Sequence, residues 1–587
     1  MSSESKSLCS LPNELLVNIL LHIEPEDSLS ISRTSKRLHQ VADEPILWRE
    51  HCINSYRHWA RRHHFTQKLQ SPPQGVDWKA LLKERRASDR VINSEFHGIL
   101  NYTARRIPRI EKIVDFDGDA KDAMLKHVRE EHDSELPLAR HFWSKQILHR
   151  LGRGEAINTW TSLARGEEMD HALALSAYDV FVLGYDSPVD PSGVDHELQL
   201  LADELHSMHP DWSELNTRSR ALKLAEFLAN KDFLGIRDHD HFHNLPNNFI
   251  SLCLATQRHE ALPIVCAVIY CSIARRVGIK AEPINYPLHV YVSIQAPMGV
   301  DLNGKPSQIV ELTQQEYEIT ETVPGILYKV QDSEAVAYRC MPDSMYIDAF
   351  RLWDEEVSID TLKQGLTRLG VSSGYHSAYL RPSSTRELIH RTRNNILESL
   401  RGHSFPYAEV YKSSIYSTAW VHLVLPASDA PDHQVTSLAP RRRSLPIICE
   451  ALRDHCPWDV DLVETHILTM FRNHPEYGSL LDVVQTIRFE DITPQPKQSR
   501  RELLKTVKYK VGQVFRHRTH AYTGMIIGWD TRCLQDQEWI DRMEVDRLRG
   551  GRNQCFYNVM YVLPIHLVLI SQMSNNFLAA MTAPTDT

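Results

Sequence analysis

The feature that most restricts how this chain can fold is one apolar stretch between residues 260 and 294. Pro263 stands where a helix accepts proline, in the first turn, because its missing N–H needs no partner there. The residues from Ile264 to Ile273 are almost all apolar, which predicts a helix buried on most of its sides. Gly278 is placed to end this helix. From Val290 to Ile294 the side chains alternate in character, which predicts a strand with two different faces.

A buried helix that leads into a strand carrying a histidine resembles the core of the papain-like and transglutaminase-like folds. The resemblance is closest to the transglutaminase-like Sir-B family. The family's helix start and its F-P-x-H-F motif correspond to Ala261–Ile264 and to Tyr286–Val290, which contains His289. Asp348, within Tyr346–Phe350, matches the family's D-x-F motif.

In active transglutaminases a cysteine nucleophile opens the helix, and the later histidine and aspartate complete a triad. By this resemblance Pro263 stands at the nucleophile position, and Cys266 follows one turn later. Burial in an apolar run raises a thiol pKa, so we interpret Cys266 as a packed core residue. His289 and Asp348 are then expected to be remnants of a degenerate triad in a binding fold. The alternative is an enzyme that uses Cys266 for acyl transfer or peptide hydrolysis.

A leucine-rich segment opens the chain between residues 8 and 52. Its apolar residues recur at helical spacing, and a segment of about 45 residues cannot bury them all by itself, which indicates a partner surface. The pattern L-P-x-E-L-L, followed by S-K-R-L and L-W, resembles an F-box. The resemblance implies binding to the F-box adaptor and through it to a cullin scaffold; the alternative is a helical hairpin packed on its own protein. The expected adaptor-binding residues are Leu11, Pro12, Leu15, Leu16, Ile19, Leu20 and Trp48.

Near the other end, residues 507 to 562 resemble the YccV-like, hemimethylated-DNA-binding domain, a small β-barrel. The matching stretches are Tyr509–His517, Tyr522–Asp530 and Gln554–Val559. From 505 to 562 ten Lys and Arg residues face six Asp and Glu residues, a balance of +4. Possible DNA contacts are Arg516, His517 and Arg518, although the fold is equally suited to recognising protein. After residue 562 the chain departs from the family's closing strand, so we expect an incomplete barrel and an altered splice or gene-model end.

Composition excludes several other classes of protein. The net charge of −9 is not that of a protein whose whole surface attracts nucleic acid. Ten cysteines form no CxxC pair, and no apolar run approaches the roughly 20 residues of a membrane helix. We therefore expect a protein of the cytoplasm and/or nucleus, with no metal, no cofactor and no membrane contact. The sequence contains two histidine-rich runs. His239–His243 does not supply the four convergent ligands that a closed zinc site needs. We interpret His58–His64 as the solvated face of a helix rather than as a contact with nucleic acid or lipid.

The predicted fold class is multidomain and mainly α with α+β parts. The expected domains are a helical F-box (1–55), a helical linker region (56–165), a transglutaminase-like Sir-B domain (166–357), a helical tract (358–492) and a YccV-like domain with an atypical C-terminus (505–587). This order resembles the F-box only protein 21 family over most of the chain. The resemblance implies a non-catalytic substrate-recognition subunit of an SCF (cullin-RING) ubiquitin ligase. The alternatives are a DNA-binding regulator and the Cys266-dependent enzyme.

Overall fold

The computed structural model forms two compact units, one of Met1–Gly402 with Ser413–Thr493 and one of His403–Lys412 with Pro494–Thr587. The residues that the structure describes are 8, 11–129, 136–185, 193–233, 235–306, 310–311, 326–331, 334–339, 343–352, 356–401, 408–426, 439–493, 507–516, 523–534, 537–562 and 567–568. Helices predominate, and the strands form small antiparallel sheets. The predicted fold class is confirmed.

The helices fall into three runs along the chain. The first run is α1 (Asn13–Leu21), α2 (Pro25–Ser32), α3 (Lys36–Ala42), α4 (Pro45–Ser55), α5 (Phe65–Gln70), α6 (Trp78–Asn101), α7 (Arg106–Val114), α8 (Gly118–Arg129) and α9 (Pro137–Ala164). The second is α10 (His171–Leu183), α11 (Val194–Met208), α12 (Thr217–Asn230), α13 (Ile250–Ala255) and α14 (Pro263–Arg276). The third is α15 (Ile359–Arg368), α16 (His376–Leu380), α17 (Thr385–Arg401), α18 (Ala408–Val424), α19 (Ala439–Arg442), α20 (Leu445–Asp454), α21 (Val460–Leu462), a π-helical turn Val463–Leu468, α22 (Glu476–Ile492) and α23 (Gln537–Arg542).

The strands form three separate antiparallel sheets. They are β1 (Lys280–Pro283), β2 (Val292–Gln295), β3 (Val310–Glu311), β4 (Ile326–Gln331), β5 (Glu334–Arg339), β6 (Ser344–Ile347), β7 (Val514–Arg516), β8 (Thr523–Asp530), β9 (Phe556–Val562) and β10 (Leu567–Val568). The strand orders are β1-β2-β6, β3-β5-β4 and β10-β9-β8-β7.

The N-terminal helices close a small core of their own. Leu16, Leu20, Leu38 and Leu47 pack together in it, and proline opens both α2 and α4. Ser35 caps α3, because its hydroxyl accepts a hydrogen bond from the Leu38 amide at 3.1 Å. Of the residues that the sequence pattern placed at helical spacing, Leu20 lies in this core, whereas Leu15 and Ile19 stay exposed.

Trp48 ties this core to the next helices. Its indole N–H donates to the Ala42 carbonyl at 2.7 Å, and its ring packs with Trp78 and Leu81 of α6. The segment after α4 does not continue as a helix, contrary to the interpretation of His58–His64 as a helix face. Its backbone instead bonds to α8, where Asp119 accepts from the Ala60 amide at 3.0 Å.

The long helices α6 to α9 share a core with a segment about 300 residues away in sequence. Ile92, Phe96, Ile110 and Ile147 pack in one cluster, and Trp458 lies in the same cluster. The predicted helical linker region and helical tract therefore pack against each other. Sequence order alone does not reveal this, because helical periodicity shows which face is apolar but not which helix covers it.

A buried ion pair joins these distant segments. Arg153 on α9 donates from Nε and Nη2 to the two carboxylate oxygens of Asp459, at 2.6 and 2.9 Å. Both side chains are almost completely buried. The carboxylate raises the Arg153 pKa above its ordinary value, against the opposing effect of burial. Arg150 reinforces the contact by donating to the Trp458 carbonyl at 3.3 Å.

The stretch from 260 to 294 folds as its pattern predicts, with a shorter strand. α14 begins at Pro263 and buries nearly all of its side chains. Gly278 follows its end with a φ of +78°, and the Ile279 amide closes the turn onto the Ala274 carbonyl at 2.8 Å. β2 lies between β1 and β6 in register with both, pairing Val292 with Pro283 and with Ile347.

The smaller unit contains an open sheet rather than a closed barrel. Among the described residues β8 pairs with β7 and β9, and the short β10 adds to β9 through Leu567 and Val562. A bulge between Ile526 and Gly528 shifts the register of β8. The incomplete barrel expected from the sequence thus appears as a four-stranded sheet, and residues 569–587 lie outside the described part.

The Arg153–Asp459 pair is open to a direct test. We expect Asp459→Ala to lower the free energy of unfolding by about 3–5 kcal/mol, because it leaves the Arg153 guanidinium buried without a counter-charge. The double change Arg153→Met with Asp459→Leu removes both charges of this pair and leaves the buried Arg150 with its other partner, Asp461, so its loss should be much smaller. Denaturant unfolding followed by tryptophan fluorescence measures both. Asp482→Ala, on an exposed face of α22, is the matched control; a loss there equal to that of Asp459→Ala would contradict the assignment.

Candidate functional site

His289 and Asp348 form a close pair at one edge of the first sheet. The His289 Nε2 atom lies 2.9 Å from the Asp348 Oδ1 atom. The same carboxylate oxygen accepts a hydrogen bond from the Phe350 amide at 3.0 Å. The imidazole lies edge-on to Tyr291, with ring centroids 4.6 Å apart. His289 keeps 20% of its side chain exposed and Asp348 keeps 6%, so the pair faces outward through the histidine.

The backbone brings the pair together through two neighbouring strands. Asp348 follows β6 directly, and His289 lies in the turn before β2, which pairs with β6. In that turn Leu288 has a φ of +64°, an uncommon conformation for a leucine. Arg391 of α17 holds the turn, because its Nη2 donates to the Tyr286 carbonyl at 2.8 Å and to the His289 carbonyl at 2.7 Å.

Arg391 is the residue of this site that sequence reasoning missed. It lies about 100 residues after His289 and contacts only the backbone of the turn, so no motif around the histidine contains it. Burial lowers the pKa of its guanidinium. Its helix α17 starts after residue 357, where the sequence places the end of the transglutaminase-like domain.

The position that would hold a nucleophile has no reactive side chain. Pro263 is the first residue of α14 and is buried. Cys266 is also buried, and its thiol lies 3.6 Å from the Ala261 carbonyl oxygen, which accepts its weak hydrogen bond. Burial, with a smaller effect of the Asp348 charge, raises the pKa of the Cys266 thiol to about 12. At neutral pH the thiolate is then a fraction on the order of one in a hundred thousand.

Metal-binding geometry is missing from the described part of the chain, where no group of three or more His, Cys, Asp or Glu residues could hold an ion. In the histidine-rich run, His241 and His243 are exposed. The His241 ring pairs with Asp238 at 2.9 Å.

The raised thiol pKa predicts slow alkylation of Cys266. We expect iodoacetamide at pH 7.5 to modify Cys266 far more slowly than the half-exposed Cys533, with a rate that rises as pH increases toward 12. Mass spectrometry of tryptic peptides measures the rates, and the denatured chain supplies the control in which both react. Preferential labelling of Cys266 in the folded protein would instead support a displaced nucleophile.

The carboxyl group of Asp179 is buried in the core. Asp179 on α10 accepts hydrogen bonds through Oδ1 from the Ser251 amide at 2.7 Å and from the Ser251 hydroxyl at 2.6 Å. Its Oδ2 atom has no hydrogen-bond partner among the described residues. Burial raises the Asp179 pKa from 3.8 to about 7, against the lowering effect of the Ser251 bonds.

This carboxyl makes stability depend on pH. The folded state keeps the Asp179 proton up to about pH 7, whereas the unfolded state loses it near 3.8, so its contribution to stability falls as pH rises between these values. Asp179→Asn imitates the protonated form. We expect the variant to exceed the wild type by about 2 kcal/mol near pH 5 and by about 4 kcal/mol at pH 8, because the wild type progressively loses stability above pH 3.8. Urea unfolding at both pH values measures the difference; equal stabilities at pH 8 would contradict the raised pKa.

Some of the predicted adaptor-binding residues are exposed, and others are buried. Leu15 is 49% exposed and Ile19 is 39% exposed, one turn apart on the same face of α1. Pro12 is exposed and Leu11 half-buried. Leu16, Leu20 and Trp48 are at most 2% exposed, so their substitution acts on the fold before it acts on any partner.

Two exposed isoleucines on α4 were missed by the sequence pattern. Ile46 is 51% exposed and Ile53 is 37% exposed. Their spacing of seven residues places them on one side of α4. This periodicity is the sequence signal that could have identified them.

Of the three possible DNA-contacting residues, Arg516 alone lies within the described part of the chain. It is exposed and is the last residue of β7, at the edge of the sheet. His517 and Arg518 lie outside the described residues.

Comparison with known families identifies three regions. Residues 8–54 match "F-box-like", residues 193–394 match "Transglutaminase-like superfamily", and residues 507–568 match "Hemimethylated DNA-binding protein YccV like". The second match extends through most of α17, the helix that carries Arg391. F-box only protein 21 of Homo sapiens is 21% identical over 94% of this chain and 84% of its own length. The chain thus resembles F-box only protein 21 over most of its length.

Other relatives agree with this F-box only protein 21-like assignment. F-box only protein 21 of Pongo abelii is 21% identical over 94% of this chain and 83% of its own length. That of Mus musculus is 24% identical over 52% of this chain and 41% of its own length. No solved structure matches the chain significantly. Within the described residues, no helix is both long and apolar enough to cross a membrane.

Proposed function

We propose that this F-box protein is a substrate-recognition subunit of an SCF ubiquitin ligase. The observation that carries the proposal is the apolar face of α1, where Leu15 and Ile19 stay exposed although the helix buries Leu16 and Leu20. A helix that packs its own core and still exposes two large aliphatic residues one turn apart presents a surface suited to a partner. The partner we infer is the F-box adaptor, which bridges to the cullin scaffold.

The transglutaminase-like region is proposed to bind protein substrate rather than to catalyse a reaction. Pro263 at the nucleophile position and the protonated, buried Cys266 support a degenerate triad. His289 and Asp348 stay paired, and Arg391 fixes the turn that carries the histidine. We propose that ubiquitin transfer belongs to the partner subunits, and that the YccV-like region contributes to substrate recognition in the cytoplasm and/or nucleus.

Adaptor binding depends in this proposal on the exposed face of α1. We expect the double change Leu15→Asp with Ile19→Asp to weaken binding by about 100-fold or more, because truncating central interface residues commonly costs about 2 kcal/mol each. Co-expression of the full chain with the adaptor, followed by affinity purification and titration, measures the loss.

The matched control is Leu200→Asp on α11, a leucine of almost equal exposure at 47% outside the F-box. It should leave adaptor binding unchanged, and the thermal unfolding of all variants should stay close to that of the wild type. Full adaptor binding by the double variant would refute the proposal.

A further inference from the structure

The start of α7 and the end of α22 meet on the larger unit. The Arg105 amide donates to the Asp491 carbonyl at 2.7 Å. The Asp491 carboxylate accepts from the Arg106 amide at 3.0 Å and from the Ile107 amide at 3.2 Å. A residue of α22 therefore caps α7, although the two segments are 385 residues apart in sequence. These bonds fix the geometry of the junction.

Large apolar side chains are exposed around this junction. Tyr102, between α6 and α7, is 62% exposed. On α22, Phe489 is 70% exposed and Ile492 is 54% exposed. Their spacing of three residues makes Phe489 and Ile492 neighbours on the surface of the helix. A cluster of exposed large apolar residues marks an interaction surface when it is held in a fixed arrangement.

Two charged side chains at the junction have no ion-pair partner among the described residues. Arg105 is exposed, and so is Glu490, the residue after Phe489. The charged side chains next to them are already paired. Arg109 lies 2.8 Å from Glu95, and Arg488 lies 2.7 Å from Glu111. One positive and one negative charge therefore remain available to a partner.

The backbone at Arg105 is held in an uncommon conformation. Its φ is +59°, in the left-handed region that non-glycine residues seldom adopt. The bond from its amide to Asp491 maintains this conformation. Strain at an exposed residue is a frequent property of functional surfaces. A surface that is already ordered also loses less conformational entropy when it binds.

The charges of this surface indicate which partner it fits. In a two-fold symmetric dimer the same patch of both copies forms the interface, so the patch must be complementary to itself. A patch with charges of one sign repels its own copy, whereas a patch with one positive and one negative charge can pair both of them. Arginine and aromatic residues are also enriched at protein–protein interfaces. A second copy of this chain therefore fits the surface.

We propose that the chain forms a two-fold symmetric dimer through the α7–α22 patch, which consists of Tyr102, Arg105, Phe489, Glu490 and Ile492. Arg105 of one copy pairs with Glu490 of the other, and symmetry repeats this pair. The exposed apolar side chains pack between the two ion pairs. The patch lies outside the F-box, so the dimer does not depend on the proposed adaptor binding.

Sedimentation velocity of the full chain at about 1 to 50 µM tests this proposal. We expect a species of twice the 67.7 kDa mass of one chain, in a fraction that rises with concentration. Arg105→Glu and Glu490→Arg should each weaken self-association by about tenfold or more, because like charges then face each other twice. The double change reverses both ion pairs, so its self-association should return to within about threefold of the wild type.

A mixture of the two single variants gives a second test. The Arg105→Glu chain is acidic at both positions, and the Glu490→Arg chain is basic at both. The two chains should therefore form a heterodimer, although each alone associates weakly. Different affinity tags on the two chains measure it by co-purification. Such a rescue between chains cannot come from a change within one chain.

Neither charge reversal should unfold the chain. Arg105 is the N-cap residue of α7, and Glu490 lies in the last turn of α22. A glutamate at the first position and an arginine at the second both suit the helix dipole. Thermal unfolding should therefore occur at or above the temperature of the wild type, which separates lost self-association from lost folding.

The apolar part of the patch has its own variant. Phe489→Ser with Ile492→Ser should weaken self-association by about tenfold or more. The matched control is Leu369→Ser with Tyr375→Ser, at 46% and 67% exposure outside the patch. This control should change self-association less than about twofold.

Three results would overturn the proposal. A wild-type chain that stays monomeric at the highest concentration contradicts it directly. Single charge reversals without effect, or a double reversal as weak as the single ones, would exclude the Arg105–Glu490 pairs. Equal losses in both serine pairs would show unspecific association. Adaptor binding measured on the same variants should equal that of the wild type, so failure of the SCF proposal and failure of the dimer are distinguishable.

Discussion

The larger unit depends on one buried ion pair. Arg153 and Asp459 come from segments about 300 residues apart, and both are removed from water. Each charge is costly to bury alone, so the two segments are stable at this depth only when they are together. The two-point geometry of the guanidinium with the carboxylate also fixes how α9 meets the segment around Trp458. Helices that precede the transglutaminase-like region thereby pack against a segment that follows it.

Within the larger unit, the histidine and aspartate of the proposed degenerate triad lie next to each other. His289 and Asp348 keep a hydrogen-bond distance of 2.9 Å, which a general base and its orienting partner require. The group they would serve is absent at Pro263, and Cys266 one turn later is held neutral by burial. The remaining features of the site position a backbone turn: Leu288 is strained, and Arg391 binds the carbonyls on both sides of it.

The F-box shows how far sequence reasoning reaches. Helical spacing identified the leucines of α1, but one spacing describes both the buried and the exposed face when a helix is apolar on two sides. Leu15 and Leu16 are adjacent and chemically identical, yet one is 49% exposed and the other 1%. The packing of α3 and α4 decides between them, and no local pattern records that packing. For the same reason the exposed Ile46 and Ile53 were not selected.

The sequence by itself determined the elements whose signals are local. α14, with Pro263 at its start and Gly278 after its end, and the strand after it both follow from short-range patterns of burial, backbone freedom and alternation, although His289, predicted within that strand, lies in the turn before β2. Tertiary structure alone decided which distant groups meet. The Arg153–Asp459 pair and the contact of Arg391 with the His289 turn each join residues from separate helices or loops. The free energies of these contacts come from burial and from charge pairing between residues that are close only in the folded structure. The order of residues along the chain shows neither.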